Sequence, residues 1–166
     1  MEIGTIITPG AENGLQVGER RAAASLTDLP DTHKELLSGP ITVVMSTVNA
    51  SGTVQLTPVW VTDDGEHLLL NTVRGRLKDR NLRARPQVSL LFLNPENPFH
   101  WLSIQGTVVD IIDEDDEERG QLATDNINAA SSLYMGVDEY PVRDPRGEVR
   151  SLYFVRPDKC MAMGEP

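Results

Sequence analysis

The chain has 166 residues, 39% of them apolar and 24% charged, with a formal net charge of −10. That length suits a single domain with a sizeable core, and the acidic balance argues against general nucleic-acid binding, which needs a wide basic face. No run approaches the roughly 20 apolar residues that span a bilayer, no basic start leads into an apolar signal segment, and the single cysteine, Cys160, excludes an internal disulfide. The expectation is a soluble, cytoplasmic protein.

Residues 1–29 are rich in Gly, Ala, Thr and Glu without a sustained apolar period, which predicts a flexible N-terminal arm before a single domain over 30–163. Asp31–Ser38 reads as a short helix, with Thr27 or Asp31 as N-cap and Gly39-Pro40 as the stop. Strands then follow one another. Ile41–Val48 is β-branched and apolar, Asn49-Ala-Ser-Gly52 is a hairpin turn, and Thr53–Val61 is the return strand. Its internal Pro58 has no N–H to donate and marks an edge or a bulge. After a turn at Asp63–Glu66 comes a strand over Leu68–Val73, then a basic helix over about Arg76–Arg83, ended by Pro86.

Val88–Leu93 is continuously apolar, as in a strand buried on both faces. A turn over Asn94–His100 precedes a long strand, Trp101–Ile112, with a bulge at Gly106. Asp113–Asn128 reads as a helix whose first turns are acidic, as the helix dipole favours. An irregular stretch over Tyr134–Gly147 leads to a last strand, Arg150–Arg156. The sum is a mainly β protein of about six strands, mostly antiparallel, with peripheral helices. A small β-barrel is the natural architecture, because closure removes exposed edges.

The basic helix carries the chemistry. Six of the fifteen Lys and Arg residues fall between Arg74 and Arg85 in an otherwise acidic chain. A multivalent anion bound at the strand-to-helix turn would offset their mutual repulsion and meet the free N–H groups of the helix start. Arg suits phosphate as a fork and Lys as a point charge. A solvated face with Asp79–Arg83 pairing at i,i+4 is the plainer alternative, although one acid cannot neutralise six bases.

Other candidates carry less. His33, His67 and His100 have no metal-ligand spacing and read as surface or internally satisfied groups. The acidic run Asp113–Glu118 reads as a solvated helix start, since consecutive carboxylates on a helix do not converge on one point. Cys160 has no neighbouring base and reads as inert. Tyr134 and Tyr140 are open to packing or to proton-donor and substrate roles.

The order of these motifs carries a resemblance. Leu56-Thr-Pro-Val-Trp60 follows a hairpin tipped by Ser51-Gly52; Arg76-Leu-Lys78-Asp-Arg-Asn-Leu82 and Pro86-Gln-Val-Ser-Leu90 follow a strand; Gln105-Gly-Thr-Val108 comes after. Together they resemble the split β-barrel flavin-binding superfamily related to pyridoxamine 5′-phosphate oxidase, and within it the actinobacterial branch that uses the deazaflavin coenzyme F420. The resemblance implies a homodimer with the cofactor in a groove at the subunit interface. It implies that Arg76 and Lys78 bind the cofactor phosphate and that Asn81 fixes the helix or assists. Gln55, Thr57, Pro58, Val59 and Trp60, with Asn71 and Thr72, would line the ring system. Charge alone suggests that Arg80, Arg83 and Arg85 attract the glutamate tail of F420, with Arg76, Arg80 and Arg83 forming one stripe. The C-terminal strand lacks an Arg-x-His pattern, which sets pyridoxamine phosphate oxidation aside. The implied activity is hydride transfer from reduced F420 to a small unsaturated or conjugated substrate. It needs no metal and no strong protein acid or base. FMN on the same fold, and a non-catalytic flavin- or haem-binding module, are the alternatives.

Overall fold

The computed structural model describes residues 1–7, 9–10, 14–15, 20–144 and 146–164. Positions 8, 11–13 and 16–19 of the expected arm and residue 145 of the irregular stretch lie outside these. In chain order the elements are β1 (Glu2–Ile7), β2 (Pro9–Gly10), β3 (Gly14–Leu15), β4 (Arg20–Ala22), a 3₁₀ turn (Leu26–Asp28), α1 (Asp31–Ser38), β5 (Val43–Val48), β6 (Val54–Val59), β7 (Val61–Asp63) and β8 (Leu68–Val73). There follow α2 (Leu77–Ala84), β9 (Gln87–Leu93), β10 (Trp101–Asp113), α3 (Gln121–Met135) and β11 (Arg150–Met163).

Among the described residues one mixed sheet of nine strands holds the fold, and β2 and β3 form a separate pair. From its free edge the order is β6–β5–β9–β10–β11. β11 has β10 along one side; its other side divides. The first half, Arg150–Val155, pairs with β8, which pairs with β7; the second half, Lys159–Met163, pairs with β1. The sheet therefore splits into two branches at one strand. Leu90, Phe92, Leu102, Ile104, Tyr153 and Val155 are buried at its centre, and Leu36 and Leu37 of α1 join them.

Several expectations change. Glu2–Ile7, expected within the arm, is a sheet strand: β1 runs parallel to β11 and antiparallel to β4. The strand count therefore exceeds six. β9 buries only Val88, Leu90 and Phe92, so one face is the core side, not both. The N-cap of α1 is Pro30, without a side-chain cap; Ser25 instead caps the 3₁₀ turn in a capping box with Asp28. The last strand runs on through Pro157 to Met163. Pro157 is tolerated because it lies where the β10–β11 register slips between Gln105 and Gly106, so its missing N–H interrupts nothing further.

The acidic helix start is the largest correction. Asp113 ends β10, Glu114–Gly120 are turns, and α3 begins only at Gln121. The carboxylates are needed elsewhere as acceptors. Asp113 takes Ser151 Oγ and Arg83 Nη2 at 2.5 Å each, Glu114 takes Thr124 Oγ1 at 2.5 Å and Arg143 Nη2 at 2.7 Å, and Asp115 takes Arg74 at 2.7 Å. The local dipole preference is outweighed by these long-range partners.

Pro58 lies on β6, an edge strand of the sheet, opposite Val44. Gly106 is required by close approach. A Cβ there would stand 2.6 Å from Val155 Cγ1 and 2.7 Å from the Arg156 carbonyl. Gly106→Ala should cost about 1–3 kcal/mol through overpacking at the bulge, read as a lower urea midpoint; an unchanged midpoint would mean that β10 and β11 separate freely there.

Candidate functional site

A pocket of about 300 Å³ opens beside the ends of β6, β8 and β11 and is closed on one side by α3. Seven of the ten residues singled out from the sequence line it: Pro58, Val59, Trp60, Asn71, Thr72, Arg76 and Lys78. Gln55, Thr57 and Asn81 do not. Asn81 is buried under the β5–β6 hairpin, where its Nδ2 donates to Asn49 Oδ1 at 2.9 Å and to Thr47 Oγ1 at 3.1 Å. Gln55 Oε1 accepts from Thr47 Oγ1 at 3.3 Å in the same cluster. Thr57 sits on β6 opposite Met45. Asn81, with Thr47, Asn49 and Gln55, ties helix to hairpin.

The cationic segment divides by partner. Gly75, at φ +86°, turns the chain from β8 into α2, and Arg76 is the N-cap. Asp79 is 2% exposed below that turn and accepts from Gly75 N at 2.7 Å, from Arg83 Nε at 2.8 Å and from the Tyr153 hydroxyl. Burial pushes its pKa up, yet these donors outweigh burial and hold it below the usual carboxylate range. Arg83 also reaches Asp113, and Arg74 pairs with Asp115 and Asp113. Arg80 donates to the Gly75 carbonyl, and Arg85 donates to the Val48 carbonyl at 2.8 Å. The stripe of Arg76, Arg80 and Arg83 therefore does not form. Arg83 turns to the sheet and Arg80 folds back on its own turn, whereas Arg76 and Lys78 line the pocket. Burial, then the charges of Arg76 and Arg150, lower the Lys78 ammonium pKa.

The pocket floor is polar and incompletely paired. Asn71 Nδ2 donates to the Ala123 carbonyl at 2.8 Å and approaches Asn126 Oδ1 at 3.3 Å, and Asn126 Nδ2 donates to Thr62 Oγ1 at 2.9 Å. Among the described residues, Asn71 Oδ1 and Thr72 Oγ1 are buried without a hydrogen-bond partner. Alternation along β8 turns Thr72 to the core side with Leu68 and Leu70, and Asn71 to the α3 side. Burying such a group unpaired costs free energy, so the Asn71 oxygen points to a polar ligand edge.

Aromatic groups form one wall. Trp60, in the break between β6 and β7, stacks on Tyr134 at 5.2 Å and 14° and meets Tyr140 edge-on at 6.0 Å. The Tyr134 hydroxyl is taken up by Val61, donating to its carbonyl and accepting from its N–H at 3.2 Å each, so it anchors α3 to β7. Tyr140 lines the pocket. Asn126 and Arg150 also line it, and sequence reasoning missed both. Asn126 was hidden by the misplaced helix start, and a lone Arg opening a strand looks solvent-facing.

The remaining candidates lie elsewhere. His33 and His100 are buried edge-to-face at 4.8 Å, with His33 Nε2 3.1 Å from the Met163 carbonyl oxygen. Cys160 is buried and its thiol is pushed up to about 12 by burial. Among the described residues no group of His, Cys, Asp and Glu is arranged to hold a metal ion, and no helix is long and apolar enough to cross a membrane.

The family model described as pyridoxamine 5′-phosphate oxidase matches residues 29–150. The chain belongs to the pyridoxamine 5′-phosphate oxidase family. Its sheet, divided at β11, is the split β-barrel of that family, with more strands than the six read from the sequence. Among solved structures, an F420 reductase superposes with a TM-score of 0.62 at 28% identity, covering 80% of this chain and 98% of the reductase. HutZ, the haem storage protein of Vibrio cholerae, superposes at 0.58 with 16% identity over 80% of this chain and 92% of its own. A conserved hypothetical protein of Mycobacterium tuberculosis gives 0.59 and 18% over 84% and 89%. The latter two likenesses speak to fold alone. No protein of curated function matches the chain in sequence.

Acid sensitivity follows from the carboxylates around the site. Arg143 above all, then Thr124 and the Arg150 N–H, outweigh burial and hold Glu114 at about 2, against an ordinary 4.5. A depressed carboxylate stabilises the fold fully above its unfolded pKa and loses that contribution as pH falls through its folded one. Urea stability should therefore decline between about pH 4.5 and pH 2, and the decline should be shallower in Glu114→Gln; equal slopes would contradict the assignment.

Proposed function

We propose that the protein is an oxidoreductase that binds coenzyme F420 and passes a hydride from its reduced form to a small unsaturated or conjugated molecule. The observation that carries this reading is the convergence of Arg76 and Lys78 at the head of α2 with Asn71, whose Oδ1 has no partner among the described residues, on one pocket. The two cations suit the cofactor's phosphate, and the Asn71 oxygen suits a ring edge with a hydrogen-bond donor. The similarity to an F420 reductase over 98% of that protein supports the deazaflavin in preference to FMN. The tail argument adds little, since Arg80, Arg83 and Arg85 already donate to partners within the chain.

When bound, the deazaflavin supplies the hydride. The chain supplies position and exclusion of water. Asn71 is held by Ala123 and Asn126 so that its free oxygen has one orientation. Trp60, braced by Tyr134, offers a rigid wall. Arg76 and Lys78 fix the phosphate end.

A second copy of the chain completes the site in this reading. A pocket of about 300 Å³ is at the small end for a ligand site. Next to it the free edge strand β6 exposes Val54 at 60% and Leu56 at 65%. An apolar free edge invites pairing, and a two-fold dimer covers it while extending the groove. Light scattering should give twice the chain mass at micromolar concentration; a monomer would remove this half of the reading.

Fluorescence titration tests the cofactor. F420 should bind more tightly than FMN, and Arg76→Ala and Lys78→Ala should each weaken it by about 1–3 kcal/mol without unfolding the protein. Tighter FMN binding by the unaltered protein would move the assignment to FMN. Unchanged F420 affinity in both variants would remove the phosphate site.

A further inference from the structure

The pocket contains a third cation. Arg150 opens β11 opposite Val73 at the end of β8, and it is 3% exposed. Its backbone is clamped to Glu114: its N–H donates to Oε2 at 3.1 Å, and its carbonyl accepts from the Glu114 N–H at 2.8 Å. The guanidinium lies 4.4 Å from the Tyr140 ring centroid, a cation–π contact that fixes its plane. Glu148, equally buried, stands 2.6 Å from Nη2 as counter-ion. The approach is close but poorly directed, and Nε and Nη2 have no hydrogen-bond partner among the described residues. Arginine carries five N–H donors in a rigid fork and no acceptor, so a buried fork with donors unmet is a costly arrangement.

Both Arg76 and Lys78 line the same pocket, and Arg150 is near enough to Lys78 to depress its ammonium. Three cations facing one cavity with a single misaligned carboxylate leave two positive charges uncompensated. A carboxylate ligand brings one charge and two oxygens. A phosphate monoester brings about −1.5 to −2 and three terminal oxygens, enough for all three cations.

We propose that Arg150 is a third ligand of the phosphate bound by Arg76 and Lys78, with Glu148 as the counter-ion it is paired to before that phosphate arrives. Binding then exchanges the poorly directed pair with Glu148 for directed N–H···O bonds. This rests on the phosphate position given under Proposed function, and not on which ring system the phosphate carries.

The test compares ligands that differ only in the phosphate: FMN with riboflavin, and F420 with its ring-and-ribityl fragment lacking the phosphate. Dissociation constants are measured by fluorescence for the full chain and for Arg150→Gln. Because removing Arg150 leaves Glu148 buried without its counter-ion, the double variant Arg150→Gln/Glu148→Gln is measured as well. The unaltered protein should prefer each phosphorylated ligand. In both variants that preference should fall by about 10- to 100-fold, as for loss of charge-assisted hydrogen bonds, with the unphosphorylated ligands bound as before. A preference unchanged in the double variant, or equal losses for both members of a pair, would overturn the proposal. If F420 fails to bind while the FMN–riboflavin ratio depends on Arg150, the deazaflavin reading falls and this one stands. If the F420 ratio depends on Arg76 and Lys78 but not on Arg150, the reverse holds. If no phosphorylated ligand is preferred, both fall.

Discussion

Asp79 and the donors around it set the geometry of the site. This carboxylate lies below the turn from β8 into α2 and is held by three groups from different parts of the chain: the Gly75 N–H of the turn, Arg83 one helical turn on, and the hydroxyl of Tyr153 from the first half of β11. A buried charge is tolerated only when such partners are present. Here they come from the elements that must be kept in register. Arg83 extends the network to Asp113 at the end of β10, and Asp113 accepts in turn from Ser151. The start of α2 is thereby pinned against β8, β10 and β11. Arg76 and Lys78 inherit their direction from that anchorage.

The same network explains how an acidic protein carries a dense basic segment. The segment is sorted into three populations, of which Arg80 and Arg85 donate to the carbonyls of Gly75 and Val48. Arg74 and Arg83 are neutralised by Asp79, Asp113 and Asp115, which makes the acidic run after β10 the structural counterpart of the basic helix. Arg76 and Lys78 remain on the pocket side, where Arg150 joins them. Repulsion is thus reduced at Arg74 and Arg83 and left standing at the cavity, where an anion can relieve it. Local charge density alone overstated the number of cations at the site.

β11 is the other constraint. Fourteen residues long, it is shared by two branches of the sheet. Its first half carries Arg150 to the pocket and Tyr153 to Asp79; its second half buries Cys160 and receives β1. Where its halves join, the register shift leaves Asp158 of β11 unpaired between Pro157 and Lys159, and Gly106 lets the two backbones approach there. The aromatic wall depends on α3, which Tyr134 ties to Val61 and Asn126 ties to Thr62.

Local pattern determined much of this. The limits of α1 and β8, the hairpin at Asn49–Gly52, the edge position of Pro58 and the bulge at Gly106 follow from proline, glycine and β-branched residues, whose effects act within a few positions. The basic segment was legible for the same reason, as a strand, a turn and a helix start in succession; it was the family resemblance that singled out Arg76 and Lys78, and both line the pocket. What acts across the fold was not legible. The acidic residues after Ile112 resemble a helix start until their partners, 30 to 41 positions away, are in place. Glu2–Ile7 lacks a pattern of its own and becomes a strand because the end of β11 has a free side to pair. Arg150 looks like an ordinary strand-opening arginine. Only tertiary structure buries it beside Tyr140, Glu148 and the pocket, because burial is a property of what the rest of the chain brings to a residue and is not carried by the residue itself.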